Sequence, residues 1–166
     1  VLIAANKPCE GLSLASERGL NTKLVDRRDF DERHSHEAAL ADAIDSSGAE
    51  WVLLAGYMAI LSPWFVERFW GRILNIHPSL LPAFGGKGFY GNRVHAAVIQ
   101  SGETTSGCTV HFVDNEYDHG TVVLQRKVPV VPNDSPETLA ARVFVEECEA
   151  LPEAINLLAK QQRTKR

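Results

Sequence analysis

Cysteine is scarce in this chain of 166 residues. Cys9, Cys108 and Cys148 are odd in number, lie far apart and include no CxxC pair. This arrangement argues against a disulfide framework and against a cysteine-based zinc site, and it favours a reducing compartment. We therefore expect a cytoplasmic protein without a structural metal.

A large excess of charge of either sign is also lacking. The chain has 17 Lys and Arg against 21 Asp and Glu, for a formal net charge of −4 at pH 7. This balance gives no electrostatic reason to bind nucleic acid, and we expect the basic cluster from Lys160 to Arg166 to be solvated. Within the sequence there is no apolar run of membrane length, recognisable signal peptide or repeat. We predict neither a nucleic-acid partner nor a membrane partner.

The chain does contain enough apolar sequence for one full core. Hydrophobic residues make up 45% of it, and a length of 166 residues is ordinarily one domain. The sequence begins directly with the apolar pattern of a strand at Val1, without an initiator Met. We predict a single domain over residues 1–166, and we expect the natural protein to extend upstream.

Short β-type runs alternate with helical patterns through the first half of the chain. The alternation predicts an α/β fold that is Rossmann-like, with an open, mostly parallel sheet and helices on both faces. Two later β segments predict an antiparallel C-terminal part. The predicted strands are Val1 to Ala5, Thr22 to Val25, Trp51 to Ala55, Ile73 to His77, Thr109 to Val113 and Thr121 to Val131. The predicted helices are Pro8 to Arg18, His36 to Ser47, Pro63 to Phe69 with Ser62 as N-cap, and a last helix from Ser135 that Pro152 should kink or divide.

The most informative string is Asn75-Ile76-His77-Pro78-Ser79-Leu80-Leu81-Pro82. Asn75 and His77 are two residues apart on a predicted strand, so they point to one face. Ligands of open parallel sheets bind beyond the carboxyl ends of the strands, where this pair lies. An amide that stabilises an oxyanion beside an imidazole that manages a proton is what acyl transfer to an amine requires. Taken alone, a turn-capping Asn and a structural His would be the commoner interpretation.

Two further residues are candidates for the same site. Asp118 is either an ordinary turn aspartate or a carboxylate that orients His77 and favours the imidazolium form. His111 either faces a cavity or is a buried structural histidine. The loop from Gly85 to Gly91 holds four glycines in seven residues, which lets backbone approach a ligand or simply lets the loop move.

Two other kinds of site are not expected. The glycine loop lacks the GxxxxGK[ST] spacing of a P-loop. His34, His36 and His95 have no partner at metal-ligand spacing, so we predict no metal.

Taken together, these strings closely resemble the phosphoribosylglycinamide formyltransferases. The resemblance spans nearly the whole chain and rests on Asn75 to Pro82, on His111-Phe112-Val113 and on Asp118-x-Gly120. The core string is shared by the wider folate-dependent formyltransferase superfamily, so it indicates the reaction class more firmly than the acceptor. The segment from Gln125 to Val130 favours the glycinamide ribonucleotide branch.

The resemblance implies transfer of a formyl group from 10-formyltetrahydrofolate to the amine of glycinamide ribonucleotide, without a metal. It implies a catalytic trio of Asn75, His77 and Asp118, and Glu147 and His111 as contacts of the ribonucleotide. The implied folate contacts are Arg33, Met58, Ala59, Ile60, Leu61, Asn75, Asp114, Asn115, Glu116, Tyr117 and Asp118. A monomer and a homodimer are both compatible with it.

The sequence departs from the family pattern in three places. Family members begin with a further strand and a phosphate-binding loop, and we expect these to be missing from the segment printed here. Cys148 replaces a common histidine, and the Gly85 to Gly91 loop is longer than in some members. The alternatives are formyltetrahydrofolate hydrolysis and an inactive folate-binding homologue. A methionyl-tRNA formyltransferase fits less well, because the chain has no basic face. Whether Leu81-Pro82 is cis stays open from sequence.

Overall fold

The structure is a computed structural model that describes residues 1–164, with side chains through Gln161. Lys165 and Arg166, the end of the predicted solvated cluster, lie outside the described residues. The strands are β1 (Leu2–Ala5), β2 (Asn21–Leu24), β3 (Val52–Leu54), β4 (Ile73–His77), β5 (Thr105–Phe112) and β6 (Val122–Pro129). The helices are α1 (Glu10–Glu17), α2 (Arg33–Ser46), α3 (Pro63–Arg68), α4 (Asn92–Gln100) and α5 (Pro136–Thr164).

The chain forms two compact units, the first comprising residues 1–52 and 61–69. Its strands β1 and β2 pair in parallel, and α1 packs on both of them. Ser62 accepts a hydrogen bond from the Phe65 N–H at 3.2 Å, which makes it the predicted N-cap of α3. The buried carboxylate of Glu37 in α2 accepts hydrogen bonds from both the backbone N–H and the hydroxyl of Ser62. Glu37 therefore ties α2 to the start of α3.

The second unit comprises residues 53–60 and those from 70 onward. Its sheet has the order β3-β4-β5-β6, and β5 is antiparallel to both β4 and β6. A bulge interrupts the pairing of β5 with β6 between Val110 and His111. Helix α5 packs on β5, β6 and α4. The fully buried apolar side chains of this core include Ile73, Leu74, Val94, Val110, Leu139 and Val143.

Most predicted elements are present, with ends shifted by a few residues, and β4 has the predicted bounds. The antiparallel C-terminal part is confirmed. Helix α4 was not among the predicted elements, and α5 continues through Pro152 rather than dividing there. The apolar run from Trp51 to Ala55 is typical of a strand covered on both faces, and here that interpretation is wrong, because Leu53 of β3 is 40% exposed. No helix within residues 1–164 is long and apolar enough to cross a membrane.

Candidate active site

Strand pairing in the second unit brings four polar side chains onto one face of the sheet. Asn75 pairs with His111 and His77 pairs with Thr109 in the antiparallel register of β4 and β5. Because side chains alternate along a strand and directly paired residues share a face, all four point the same way. The two polar residues of the Asn75 to Pro82 string are therefore neighbours of two polar residues from β5.

His77 contacts two groups at opposite sides of its ring. Its Nε2 lies 2.9 Å from the carbonyl oxygen of Phe84, and its Nδ1 lies 3.5 Å from Oδ2 of Asp118. Since a carbonyl can only accept, Nε2 carries a proton and donates it to Phe84. His77 is 4% exposed. Asp118, predicted from a distant part of the sequence to meet His77, thus lies beside its second ring nitrogen.

Asn75 is oriented by His111. The Asn75 side-chain Nδ2 donates to His111 Nε2 at 3.2 Å, and His111 Nδ1 lies 2.8 Å from the carbonyl oxygen of Phe112. The carbonyl requires a proton on Nδ1, so in the neutral ring Nε2 is the acceptor that the Asn75 amide needs. This leaves the second N–H of the Asn75 amide available to another acceptor. His111 is only 2% exposed, so sequence alternation alone did not distinguish a cavity-facing residue from this partner of Asn75.

The glycine loop holds Asp118 from the other side. The Gly86 N–H donates to Asp118 Oδ2 at 2.8 Å, so that oxygen faces both a backbone donor and His77. Asp118 itself has a φ of 53°, in the left-handed region that Asp and Asn tolerate better than most residues. The peptide bond Leu81-Pro82, which the sequence left open, is cis.

Gly85→Ala is expected to destabilise the protein by about 1 to 3 kcal/mol, because an added Cβ overpacks a tight site. That Cβ would collide with the Leu81 side chain and lie 3.2 Å from the Asp118 Cβ. Urea unfolding measures the change. The matched control is Gly11→Ala in α1, where the nearest atom is Cys9 Sγ at 3.9 Å and a small stabilisation is expected. Equal effects of the two substitutions would contradict this account of the loop.

Comparison with known proteins decides the family. The formyl transferase family model matches residues 1–155. The chain belongs to the formyl transferase family. The resemblance found from the sequence is thereby confirmed.

Relatives of this formyl transferase include phosphoribosylglycinamide formyltransferases. This chain is 41% identical to the chloroplastic phosphoribosylglycinamide formyltransferase of Vigna unguiculata. The match covers 98% of this chain and 52% of the plant protein. The chain is also 41% identical to the trifunctional purine biosynthetic protein adenosine-3 of Gallus gallus, with 96% of this chain and 16% of that protein covered. The chain therefore spans about half the length of the plant relative, and a much smaller share of the multidomain one.

A solved structure supports the fold of this formyl transferase. Glycinamide ribonucleotide transformylase 1 from Symbiobacterium toebii superimposes with a TM-score of 0.90 at 36% identity, covering 97% of this chain and 74% of that one. The α/β fold class predicted from sequence is confirmed.

Burial lowers the pKa of two histidines of the formyl transferase. The pKa of His111 is lowered chiefly by burial, although the Phe112 carbonyl and Asp118 act in the opposite direction. The pKa of His95 in α4 is lowered by burial and, to a smaller extent, by His77. His95 Nδ1 is buried and has no hydrogen-bond partner among the described residues. Protonating either ring is therefore less favourable in the folded state than in the unfolded chain.

The free energy of unfolding is expected to fall as pH drops below about 6.5, the ordinary pKa of histidine. The unfolded chain then takes up protons that folded His95 and His111 resist, so stability decreases with falling pH, by at most about 1.4 kcal/mol per pH unit for each group. Urea unfolding between pH 7.5 and 5.5 measures the slope. His95→Gln should make the slope shallower, while His34→Gln, at an exposed position, should leave it unchanged. An unchanged slope in His95→Gln would remove His95 from this account.

The structure places the remaining predicted residues in different parts of the chain. The implied folate turn is open to solvent, with Met58 59% and Ile60 54% exposed. In the loop before Asp118, Asp114 accepts the Glu116 N–H at 2.9 Å and Tyr117 is 49% exposed. Arg33 belongs to the first unit, where its Nε donates to Glu37 at 3.0 Å.

Glu147 is not joined to the trio by a hydrogen bond within residues 1–164. It lies on α5, and burial raises the pKa of its carboxyl. Its charge in turn helps raise the pKa of Cys108, after the larger effect of burial. Cys108 alternates with Thr109 along β5, so its side chain lies on the face of the sheet away from His77.

The side chains that hold the turn after β4 in place were not predicted from the sequence. Thr109, Gln125 and Ser79 form hydrogen bonds that fix the turn after β4. Gln125 and Ser79 carried a signal only as members of the family-like segments Gln125 to Val130 and Asn75 to Pro82. Groups of three or more His, Cys, Asp or Glu arranged to hold a metal are absent from the part of the chain that the structure describes.

Proposed function

We propose that this protein transfers a formyl group from 10-formyltetrahydrofolate to the amine of glycinamide ribonucleotide in de novo purine biosynthesis. The single observation that carries the proposal is the convergence of Asn75, His77 and Asp118 in the second unit. Asn75 and His77 share one face of β4, and Asp118 Oδ2 lies 3.5 Å from His77 Nδ1. Family membership supports formyl transfer, and the names of the relatives support this acceptor.

The donor set fits a formyl carbonyl attacked by an amine. When bound, the folate supplies a one-carbon unit whose carbonyl oxygen gains negative charge during the reaction. Asn75 has one N–H engaged by His111, and we assign the other to that oxygen. A preorganised donor of this kind is worth roughly 100- to 1000-fold in rate. No metal is required for this arrangement.

His77 and Asp118 are assigned to proton handling. The Phe84 carbonyl holds the Nε2 proton of His77, so we propose that Nδ1, beside Asp118, is the nitrogen whose proton moves. We assign to a positively charged His77 the stabilisation of the developing oxyanion, with the Asp118 carboxylate 3.5 Å from its Nδ1. Asp118 also offers an acceptor for a proton that leaves the attacking amine, directly or through a water. That proton is delivered to N10 of the folate as the bond between N10 and the formyl carbon breaks, which releases tetrahydrofolate.

The substrate contacts implied by the resemblance stay proposals. We assign Arg33, the turn from Met58 to Leu61 and the loop from Asp114 to Asp118 to the folate. Glu147 and His111 are assigned to the ribonucleotide, with His111 acting at least in part through Asn75. The exposure of Met58, Ile60 and Tyr117 supports contact with a bound molecule.

Three organisational predictions are proposals as well. We propose that residues 1–166 act as one formyltransferase domain although they form two compact units. A cytoplasmic location is proposed from cysteine usage, and the plant relative carries the word chloroplastic in its name. Either a monomer or a homodimer is consistent with the proposed activity.

The proposed reaction is tested by supplying 10-formyltetrahydrofolate with and without glycinamide ribonucleotide and separating the products. Formyl-glycinamide ribonucleotide that forms only when both substrates are present is the expected result. Formate release without the ribonucleotide would instead indicate the hydrolase. Folate binding without either product would indicate an inactive homologue, and both outcomes would overturn the proposal.

A further inference from the structure

The Thr109 hydroxyl, on the strand residue that pairs with His77, forms all the hydrogen bonds that a hydroxyl can form. It is 0% exposed. It donates to the Ser79 carbonyl at 2.6 Å, and it accepts the Leu81 N–H at 3.0 Å and a Gln125 N–H at 2.9 Å. One donor and two acceptor positions are all that a hydroxyl offers. Thr109 therefore fixes the turn after β4 from two sides while touching neither Asn75 nor Asp118 through a hydrogen bond.

Gln125 completes this fixation from β6. Its Nε2 donates both to Thr109 Oγ1 and to the Leu81 carbonyl, each at 2.9 Å. As a result, both backbone polar groups of Leu81 are bound by side chains of the sheet. Leu81 precedes a proline that has no N–H to offer, so the turn depends on these side chains for its attachment at this point.

The attached turn carries the partners of both His77 and Asp118. Ser79 Oγ donates to the Ala83 carbonyl at 2.6 Å, which closes the turn. The next residue, Phe84, provides the carbonyl that binds His77 Nε2, and Gly86 provides the N–H that binds Asp118 Oδ2. The segment from Ser79 to Gly86 thus sets both the orientation of the His77 ring and the position of the Asp118 carboxylate. The distance between His77 Nδ1 and Asp118 Oδ2 depends on where this segment lies.

We propose that Gln125 is a positioning residue for the reaction, acting with Thr109 through the segment from Ser79 to Gly86 on His77 and Asp118. The inference rests on the proposed function. According to this proposal, Gln125 affects the rate of catalysis and not only the free energy of unfolding. A displacement of about 1 Å in a catalytic group can cost on the order of 100-fold in rate.

Three substitutions test the proposal. Gln125→Met keeps the length of the side chain and removes both donors, and Thr109→Val keeps the shape and removes the hydroxyl. Thr109→Ser keeps the hydroxyl and serves as the conservative variant. Val128→Ala is the matched control, because Val128 is a buried β6 residue, 5% exposed, on the other face of the sheet from Gln125 and Thr109. It weakens the same strand without touching the turn.

The expected result is a fall in kcat of roughly 10- to 100-fold in Gln125→Met and Thr109→Val, with KM for both substrates changed less than about threefold. The pH dependence of kcat should also shift, because the pairing of His77 with Asp118 is altered. Thr109→Ser should stay within about threefold of the wild type. The double variant should lose little more than either single one, since both residues act through one turn.

Two results would overturn the proposal. One is a Gln125→Met enzyme with the kcat and pH profile of the wild type. The other is a loss no larger than that of Val128→Ala with an unshifted profile. If Gln125→Met does not fold, Gln125→Asn, whose amide is one methylene too short, must show the same loss. These outcomes are read only against a wild type that forms formyl-glycinamide ribonucleotide. Absence of that product in the wild type refutes the proposed function instead.

Discussion

Asn75→Ala is expected to lower kcat for formyl transfer by roughly 100- to 1000-fold while the protein stays folded. The structure shows that His111 accepts one N–H of the Asn75 amide, and the proposed role of the other N–H is to bind the carbonyl oxygen of the formyl group. The stabilisation is needed mainly when charge develops, so kcat should fall far more than KM rises. Steady-state kinetics with both substrates varied measures the two parameters separately.

The matched control for this substitution is Asn156→Ala on α5, at an exposed position away from the proposed machinery. It should behave as the wild type in both kinetics and unfolding. A kcat for Asn75→Ala within about tenfold of the wild type would show that another group stabilises the oxyanion. A large rise in KM with kcat unchanged would assign Asn75 to substrate binding alone.

The strand that carries Asn75 and His77 was predictable because its signals are local. An apolar pair begins β4 and a proline follows its last residue, so the predicted and observed bounds agree. Alternation along the strand then placed both side chains on one face. What local pattern cannot supply is the partner strand. The pairing of Asn75 with His111 depends on the β4–β5 register, which joins residues 36 positions apart.

Helix α4 was missed for an identifiable physical reason. It begins after Gly91, whose φ is 52°, and it has no side-chain hydrogen bond at its N-cap. The usual start signal is therefore lacking, and the glycine loop directly before it favoured an irregular segment. The i, i+4 pair of Val94 and Val98, both buried, was the available indication.

The positioning network could not be predicted from spacing. Gln125 reaches Thr109 across a β5–β6 register that contains a bulge, so counting residues along either strand does not pair them reliably. By contrast, the ion pair of Arg33 and Glu37 at 3.0 Å is local, because the two residues are four positions apart in α2. The predicted helix began only at His36, so the pair follows from spacing once the helix is known to start at Arg33. Contacts between residues that are far apart in sequence and joined by irregular turns could therefore not be predicted from residue spacing.

Asp118→Asn should reduce kcat on the order of 100-fold or more while changing the free energy of unfolding by less than about 1 kcal/mol. The amide oxygen of Asn can still accept the Gly86 N–H, which Asp118 Oδ2 now binds at 2.8 Å. Asn also tolerates the left-handed backbone that Asp118 adopts, with φ of 53°. What the substitution removes is the negative charge beside His77 Nδ1, together with an acceptor for the amine proton.

Comparison with Asp118→Ala distinguishes the effect of the Asp118 charge from the effect of its hydrogen bond to the glycine loop. Alanine removes the carboxylate as Asn does, but it also leaves the Gly86 N–H without its acceptor and lacks the polar side chain that eases a positive φ. We therefore expect a similar loss of kcat in the two variants and an additional destabilisation of about 1 to 3 kcal/mol only in Asp118→Ala. Asp42→Asn, exposed on α2, is the control for charge removal in general. If Asp118→Asn retained activity while Asp118→Ala lost it, Asp118 would hold the loop rather than manage protons, and His77 would work without a carboxylate partner.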